Sequence, residues 1–464
     1  MNVQTLFVSM LPEHILLAGL CLALVLDIAS APPRATFGVG LAAVVAAAAA
    51  ATLLAFGGYA AATFAGQLSV GPVTSAAKAI VLLLAVPVLM LSRDEFHDAR
   101  FALLALASLY GACLVISADS FLTLLLGIEI LSLPVYVLVL LAMQRPDSAE
   151  AALKYLVLGG TATGMLLMGA SLLFGWTGSL GLDGFARALD APEAMPRAAV
   201  GLVLSAFFLK AAVFPFHAWA PDAYEGGSVP ATAYMATIVK ATMLFAVVRL
   251  FGAVDLSPAT TALVAVPPLL SIVWGNVAAI RQQSFRRMIA YSSIAHAGFL
   301  FFAMLGAAEG RFQAVAFYVA AYGLMSLLAF VALPRAGDDV AADRLDALKG
   351  LFHRRPYAAV ILAIAMLSLA GIPPLPGFVA KFLVFRNVMA SGHTLLAVLG
   401  LLGSYLGLYF YLRVIQYMFM SPRADGIAAQ AVLRRHAFAA SLVCLVPIAL
   451  VTVFPGWVLG MLRA

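Results

Sequence analysis

Two proline-interrupted stretches decide the fold of this chain: LSAFFLKAAVFPFHAWAPDAYEGG (204–227) and LSLAGIPPLPGFVAKFLVF (367–385). Each begins as an apolar helix and then meets proline, which has no backbone N–H and leaves a carbonyl one turn earlier without its partner. Unpaired backbone inside a bilayer is tolerated only where it faces protein or water. A lysine accompanies each break, Lys210 in the first and Lys381 in the second. Two such breaks indicate internal repeats with a transport site at each break, and ordinary proline kinks are the alternative.

The composition is that of a membrane protein. Of 464 residues, 64% are hydrophobic and 10% are charged, and the mean hydropathy is +1.05. The net charge of +6 is spread over short loops, which argues against a nucleic-acid partner. Cys21, Cys113 and Cys444 are too far apart to suggest an iron–sulfur or zinc site. We therefore expect no redox cofactor and no metal in this chain.

Apolar stretches follow one another along the chain. About fourteen are long enough to cross a bilayer. They start near residues 12, 36, 72, 100, 119, 151, 198, 230, 258, 286, 311, 357, 395 and 436. No basic segment precedes the first one, so we expect a retained helix rather than a cleaved signal. The predicted fold class is an all-α, polytopic membrane protein.

Basic residues predict the orientation. Most fall in loops after odd-numbered helices: Arg34, Arg93, Arg100, Arg145, Arg281, Arg286, Arg287, Arg335, Arg344, Lys349, Arg354, Arg355, Arg423, Arg434 and Arg435. The other side carries mainly Arg187, Arg197, Arg311 and Arg463. By the positive-inside rule, both termini lie outside and the long 334–356 loop is cytoplasmic.

Glu129 and Lys210 are the first candidates for chemistry. Glu129 lies in the middle of an apolar stretch, where a lone carboxylate needs a partner or a proton. Lys210 is the natural partner, because opposite charges within about 4–6 Å favour each other's ionised form. If Glu129 moves away, Lys210 loses its counter-charge and releases a proton. A static ion pair that only fixes helix packing is the alternative.

The other lysines differ in depth. Lys240 lies near the middle of its stretch with no acid on the same helix, which favours a proton-carrying site in a hydrated cavity over snorkelling to the interface. Lys381 is expected to face the cavity opened by its break. Lys154 starts its stretch, so snorkelling competes with a role in transport, and it is the second choice as partner of Glu129. Lys78 is interpreted as structural.

Two histidines and a tyrosine complete the candidates. His217 follows the first break, and His296 lies in RRMIAYSSIAHAGFLFFAM (286–304). Histidine on a membrane helix relays protons near neutral pH or packs as a neutral hydrogen-bonded group. Tyr291, with the two serines after it, would order water beside His296.

Five segments resemble one family: LGIEILSLPVYVL (126–138), EAALKYLVLGG (150–160), FFLKAAVFPFHAWAPDAYEGGSVPATAY (207–234), GNVAAIRQQSFRRMIAYSSIAHAGFL (275–300) and LAGIPPLPGFVAKFLVF (369–385). Together they resemble the antiporter-like membrane subunits of bacterial proton-pumping NADH:quinone oxidoreductase, respiratory complex I. Lysine at position 381 favours the subunit N branch of that family, because the sister subunit M usually carries glutamate there.

The resemblance implies two inverted five-helix repeats, each with one broken helix. The expected domains are residues 1–99 with three helices, 100–255 as the first repeat, 256–422 as the second, and 423–464 with the last helix. It also implies roles for the candidates: Glu129 and Lys210 as the coupling pair, Lys240 as the central relay and Lys381 as the exit-side site. His296 would lie on the connecting polar axis.

The expected function is proton translocation as a subunit of this translocase, coupled to quinone reduction elsewhere. FMN, iron–sulfur clusters and quinone are expected in other subunits, and the partners would be subunit M, small membrane subunits such as K and J, and lipids. The expected location is the bacterial inner membrane, with both termini periplasmic. A subunit of a multisubunit sodium/proton antiporter and a purely structural membrane subunit remain as alternatives.

Overall fold

The computed structural model describes residues 3–142, 145–252, 254, 256, 258–333, 343–422 and 434–462. Arg335, Arg423 and Arg463, which entered the orientation prediction, lie outside the described residues, as does the first part of the 334–356 loop. The same is true of residues 255 and 423, at which predicted domains meet.

Membrane helices dominate the described chain and begin within 4 residues of the predicted starts. They are α1 (Leu11–Ile28), α2 (Pro33–Phe56), α3 (Pro72–Ser92), α4 (Arg100–Ser117), α5 (Phe121–Leu140), α6 (Ser148–Thr177), α7a (Ala194–Ala211) with α7b (Trp219–Gly226), α8 (Val229–Phe251), α9 (Pro258–Ile280), α10 (Phe285–Phe302), α11 (Ala308–Ala332), α12a (Pro356–Ala370) with α12b (Pro376–Ala390), α13 (Thr394–Tyr405 and Leu408–Met420) and α14 (Arg435–Val453). In the described residues, 13 helices are long and apolar enough to cross a membrane, and α12a is a shorter apolar helix. The prediction of an all-α polytopic membrane protein is confirmed.

Several short elements were not predicted. A hairpin between α2 and α3 pairs β1 (Ala61–Thr63) with β2 (Leu68–Val70) in antiparallel register. The remaining short elements are helices Val3–Ser9, Asp183–Ala188, Leu351–Arg354 and Pro455–Met461, and 3-10 turns Ala303–Leu305 and Leu345–Leu348. Helix Val3–Ser9 packs on β1, so the start of α1 and the hairpin lie at the same end of the bundle.

Serine residues set the start of three helices. Ser120, Ser228 and Ser284 precede α5, α8 and α10, and each side-chain oxygen accepts a hydrogen bond from a backbone N–H in the first turn. The first N–H groups of a helix have no partner within it, so such caps typically contribute about 1 kcal/mol each.

Both predicted breaks are present. Helix α7a ends at Ala211, and Ala212 adopts a left-handed conformation with φ of 60°. The indole N–H of Trp219 then donates to the Leu209 carbonyl at 2.8 Å, which satisfies a carbonyl of the last turn. Helix α12a ends before Gly371, whose φ of 88° suits glycine because a side chain is strained there.

The centre of the bundle is formed by α8, α10 and α11. Almost every residue of these three helices is buried, whereas only 28% of α1 and of α14 is buried. Polar side chains on the three central helices are therefore removed from lipid and need partners within the protein.

The predicted loop cations are partly incorporated into helices and ion pairs. Arg286 and Arg287 lie in the first turn of α10 rather than in a loop. Arg286 is 2% exposed, and its Nε lies 2.9 Å from both carboxylate oxygens of Asp343. It also donates to the carbonyl of Gly227, at the junction of α7b and α8. This pairing fixes the end of the bundle at which α8 and α10 begin.

Candidate functional site

Lys210 and Glu129 meet at the first break. Lys210 occupies the last turn of α7a, and its Nζ lies 3.6 Å from Glu129 Oε1 on α5. The Nζ also donates to the hydroxyls of Ser132 and Tyr136, at 3.3 Å and 3.4 Å. Charge-assisted hydrogen bonds are usually about 2.7–2.9 Å long, so this ion pair is loose. The predicted contact between Glu129 and Lys210 is thus present, but the two charged atoms are farther apart than in a hydrogen bond.

Glu129 has a second partner that the sequence did not indicate. Thr163 on α6 donates to Glu129 Oε1 at 2.5 Å. The Glu129 side chain is 31% exposed, whereas that of Lys210 is 5% exposed. One carboxylate oxygen therefore contacts both a buried ammonium and the Thr163 hydroxyl, and the contact with the hydroxyl is the shorter of the two.

Lys240 lies at the centre of the bundle. A π-helical turn, Met235–Val239, precedes it within α8 and rotates the residues that follow. The Lys240 Nζ donates to the carbonyl of Ser293 on α10 at 2.6 Å and also contacts the Ser293 hydroxyl. Among the described residues no acidic side chain lies within ion-pair distance of it. Lys240 is therefore a fully buried amine held by neutral groups.

Tyrosine side chains surround Lys240 on both sides. The hydroxyl of Tyr224 on α7b lies 3.1 Å from the Ser293 hydroxyl. The Lys240 Nζ lies 5.8 Å from the centre of the Tyr322 ring on α11. The buried hydroxyls of Tyr322 and Ser326 lie near each other, and that of Tyr322 also lies near Ser293, but neither makes a well-aligned hydrogen bond in the described structure. Buried polar groups of this kind usually bind water, so this is where water is needed.

His296 connects α10 to α11 and α13. Its Nδ1 lies 2.9 Å from the Tyr318 hydroxyl and its Nε2 lies 3.3 Å from the Tyr411 hydroxyl. The Tyr411 hydroxyl in turn contacts Ser292. Because tyrosine hydroxyls both donate and accept, either nitrogen of this ring can hold the proton.

Lys381 lies against the break of its own helix. Its Nζ donates to the carbonyls of Ala370 and Leu369, at 2.9 Å and 3.2 Å. The partial negative charge at the end of α12a stabilises the cation. Its Nζ also lies 5.2 Å from the centre of the Phe299 ring. The sequence predicted a lysine that faces an open cavity. In the structure, the Lys381 ammonium instead donates hydrogen bonds to the two carbonyls that the prolines leave without a helical partner.

Three predicted residues lie apart from these contacts. Lys154 is 45% exposed and pairs with Asp222 and Glu150, at 2.8 Å and 2.7 Å, so it is not a partner of Glu129. His217 accepts a hydrogen bond from the Trp274 indole at 2.9 Å near the surface. Tyr291 is partly exposed and makes none of the hydrogen bonds described above; Ser292 and Ser293 beside it make them instead.

An aromatic stretch separates the first break from Lys240. The Tyr136 ring packs edge-on against Tyr155 at 4.7 Å, and Tyr155 stacks on Trp219 at 4.2 Å. Trp219 and Tyr224 share α7b. The polar residues thus form hydrogen-bonded groups separated by aromatic contacts, and a proton needs water or side-chain motion to pass between them.

Sequence reasoning missed these tyrosines because tyrosine is common in apolar helices. Tyr318 and Tyr322 are four residues apart, which places both on one face of α11. The central part of this helix has no charged residues, so two tyrosines on one of its faces could have indicated a buried polar site. Among the described residues, no group of three or more His, Cys, Asp or Glu side chains comes together as a metal site.

Comparison with known proteins identifies the relatives of the chain. Residues 118–407 match the family model described as NADH:quinone oxidoreductase/Mrp antiporter, transmembrane region. The chain is 39% identical over 419 residues to NADH-quinone oxidoreductase subunit N of Pelobacter propionicus, covering 90% of this chain and 89% of that protein.

Solved structures show the same architecture. A chain of respiratory complex I from Thermus thermophilus superimposes with a TM-score of 0.83 at 33% identity, covering 97% of this chain and 98% of that one. A chain of the Mrp complex from Dietzia sp. DQ12-45-1b gives a TM-score of 0.79 at 20% identity, covering 98% and 96%. The second likeness shows the fold alone. The resemblance found in the sequence is confirmed.

Proposed function

We propose, because this chain belongs to the family of NADH-quinone oxidoreductase subunit N, that it is the proton-translocating membrane subunit of such an enzyme. The observation that carries the proposal is Lys240: a buried amine on a central helix, held by Ser293 and with no acidic partner among the described residues. An ionisable side chain at this depth is costly to keep in a bilayer and marks a path for ions or protons.

The proposed relay runs from Glu129 and Lys210 through Lys240 to Lys381. When Glu129 moves away from Lys210 and keeps its hydrogen bond to Thr163, Lys210 loses its counter-charge, and its N–H proton passes through water toward Tyr224 and Lys240. His296, with its two hydroxyl partners, would carry the proton between Lys240 and Lys381. Lys154, His217 and Tyr291 have weaker support, since none of them joins the hydrogen bonds of the buried groups.

The wider assignment follows from the family. The chain would act within a translocase whose FMN, iron–sulfur clusters and quinone site lie in other subunits. Its proposed partners are subunit M, small membrane subunits such as K and J, and lipids. We propose residues 100–255 and 256–422 as the two inverted repeats, in an inner-membrane protein with both termini periplasmic.

The sodium/proton antiporter has weaker support. The Mrp chain shares only 20% identity with this one, whereas subunit N of Pelobacter propionicus shares 39%. A purely structural role leaves the buried, unpaired Lys240 without an explanation.

The test is Lys240→Met in the whole complex, reconstituted in vesicles. Proton uptake per NADH oxidised and NADH–quinone activity are measured together. Both should fall at least about tenfold, while assembly is kept, because the substitution removes a buried charge whose burial was a cost. Lys349→Met, at an exposed lysine paired with Asp346, is the matched control. Unchanged pumping in an assembled Lys240→Met complex would remove Lys240 from the pathway.

A further inference from the structure

A second buried carboxylate–lysine pair lies in the N-terminal helices, outside the region 118–407 that matches the family model. Glu13 in the first turn of α1 and Lys78 in the second turn of α3 approach to 2.6 Å, and each side chain is 1% exposed. Sequence reasoning interpreted Lys78 as structural and did not consider Glu13.

This pair lacks the hydrogen bonds that surround the pair at the first break. Lys78 Nζ and Glu13 Oε2 have no hydrogen-bond partner in the described part of the chain, so their contact is an ion pair without hydrogen-bond alignment. By contrast, Lys210 donates to two hydroxyls. An ammonium has three N–H donors and a carboxylate accepts several bonds, so most of this capacity is unused in a dry site.

Three buried hydroxyls lie at the end of the bundle that carries the hairpin. Ser75 is one turn before the lysine on α3, Thr63 pairs with Leu68 in the hairpin, and Ser117 precedes Ala118, which bridges to Leu68. All three hydroxyls are at most 1% exposed and have no partner among the described residues. A row of unpartnered buried polar atoms is the usual setting for bound water.

We propose that Glu13 and Lys78 form a hydrated proton-binding site, reached by water from the hairpin end past these three hydroxyls. One N–H bond of the Lys78 ammonium breaks, its proton moves through a water, and an O–H bond forms on Glu13, which leaves a neutral pair. The reverse transfer restores the ions. Among the described residues, Tyr110 and Cys113 on α4 are titratable side chains near enough to feel the charges of the pair. The proton-carrying role rests on the proposed function, whereas the hydration does not.

Two native cysteines test the hydration. Cys113 and Cys444 are both 0% exposed, but Cys113 lies on α4, which packs against the helix of Glu13, whereas Cys444 lies on α14. Radiolytic hydroxyl labelling of the intact complex modifies side chains that contact bound water. We expect Cys113 to be modified about tenfold faster than Cys444, since bound water lies beside only one of them. Equal rates would mean a dry pair and would overturn the proposal, whether or not the chain pumps.

Two variants test whether Glu13 and Lys78 carry a proton. Lys78→Arg keeps the positive charge beside Glu13 but cannot release a proton. Glu13→Gln combined with Lys78→Met leaves no stranded charge and covers the case in which arginine does not fit. At least about a twofold drop in protons moved per NADH is expected in each assembled complex, because neither variant can transfer the proton.

Wild-type stoichiometry in both variants would overturn the proton-carrying role. Lys240→Met is measured in parallel, so that failure of the relay and failure of this site are told apart. Normal pumping by Lys240→Met refutes the relay, whereas the labelling of Cys113 still decides the hydration.

Discussion

The two broken helices neutralise the same kind of cation by different means. At the first break, Lys210 has a loose contact of 3.6 Å with the carboxylate of Glu129. At the second break, Lys381 donates to two backbone carbonyls of α12a. Both lysines are buried, and both lie beside a proline-rich interruption.

The difference determines what can change at each lysine. A carboxylate can rotate, and Glu129 already shares its oxygen with Thr163. Backbone carbonyls at a helix end neither rotate freely nor take up a proton near neutral pH. The first break can therefore change the charge beside its lysine, whereas at the second break the lysine itself must move or lose its proton.

Glu129→Gln should give the largest loss of stability, because it leaves Lys210 buried without a counter-charge. We expect a cost of roughly 3 kcal/mol, at the lower end for buried pairs because Glu129 is partly exposed. Adding Lys210→Met should recover part of the loss without restoring pumping. A double-mutant cycle on thermal release of the subunit measures the coupling. Additive losses would show that the two groups do not interact.

Lys381→Met should cost less, about 1–2 kcal/mol, because it leaves two carbonyls unpaired but strands no charge. Lys381→Gln is the matched control, since its amide can donate to the same carbonyls but cannot carry the proton. The glutamine variant should be nearly as stable as wild type and still fail to pump. If Lys381→Met were as destabilising as Glu129→Gln, the two breaks would be equivalent.

Thr163→Val should cost about 1 kcal/mol, because one hydrogen bond to a partly exposed carboxylate is lost. Pumping should fall, since Thr163 would no longer hold the Glu129 carboxylate when it moves away from Lys210. Thr163→Ser keeps the hydroxyl and should restore both stability and pumping. Failure of serine to restore pumping would assign the effect of valine to packing.

Lys154→Ala should have the smallest effect on stability, because its ion pairs are exposed and screened by water. Lys349→Ala, in another exposed lysine–carboxylate pair, is the control. If Lys154→Ala lowered the stability as much as Glu129→Gln, the ion pairs of Lys154 would have to contribute as much as a buried pair, which contradicts their exposure.

The helices and their breaks could be predicted from the sequence because both depend on local chemistry. The length of an apolar stretch defines each membrane helix. Pro215 and Pro373 each interrupt a helix whatever it packs against, because proline lacks a backbone N–H. The contact of Glu129 with Lys210 was also predictable, because few buried charges exist and opposite charges must pair in a bilayer.

The partners of Lys240 could not be predicted in the same way. Ser293 lies 53 residues away, and the π-helical turn before Lys240 sets the face on which the lysine lies. That turn has no distinctive sequence. Glu13 was missed for a related reason: it lies near the start of its helix, where exposure to the interface is common, and only the packing of neighbouring helices, above all α2 and α4, buries it.

The depth of the polar residues has an electrical consequence. Glu129, Lys240 and His296 lie near the middle of their helices, and Lys210 and Lys381 lie at mid-bundle breaks. Moving one elementary charge through a full membrane potential of 100 mV takes about 2.3 kcal/mol. A proton that passes sideways between these residues crosses almost none of that voltage. The work against the potential therefore falls on the entry and exit steps, so membrane voltage should slow loading and release while leaving the transfers between the lysines nearly unaffected.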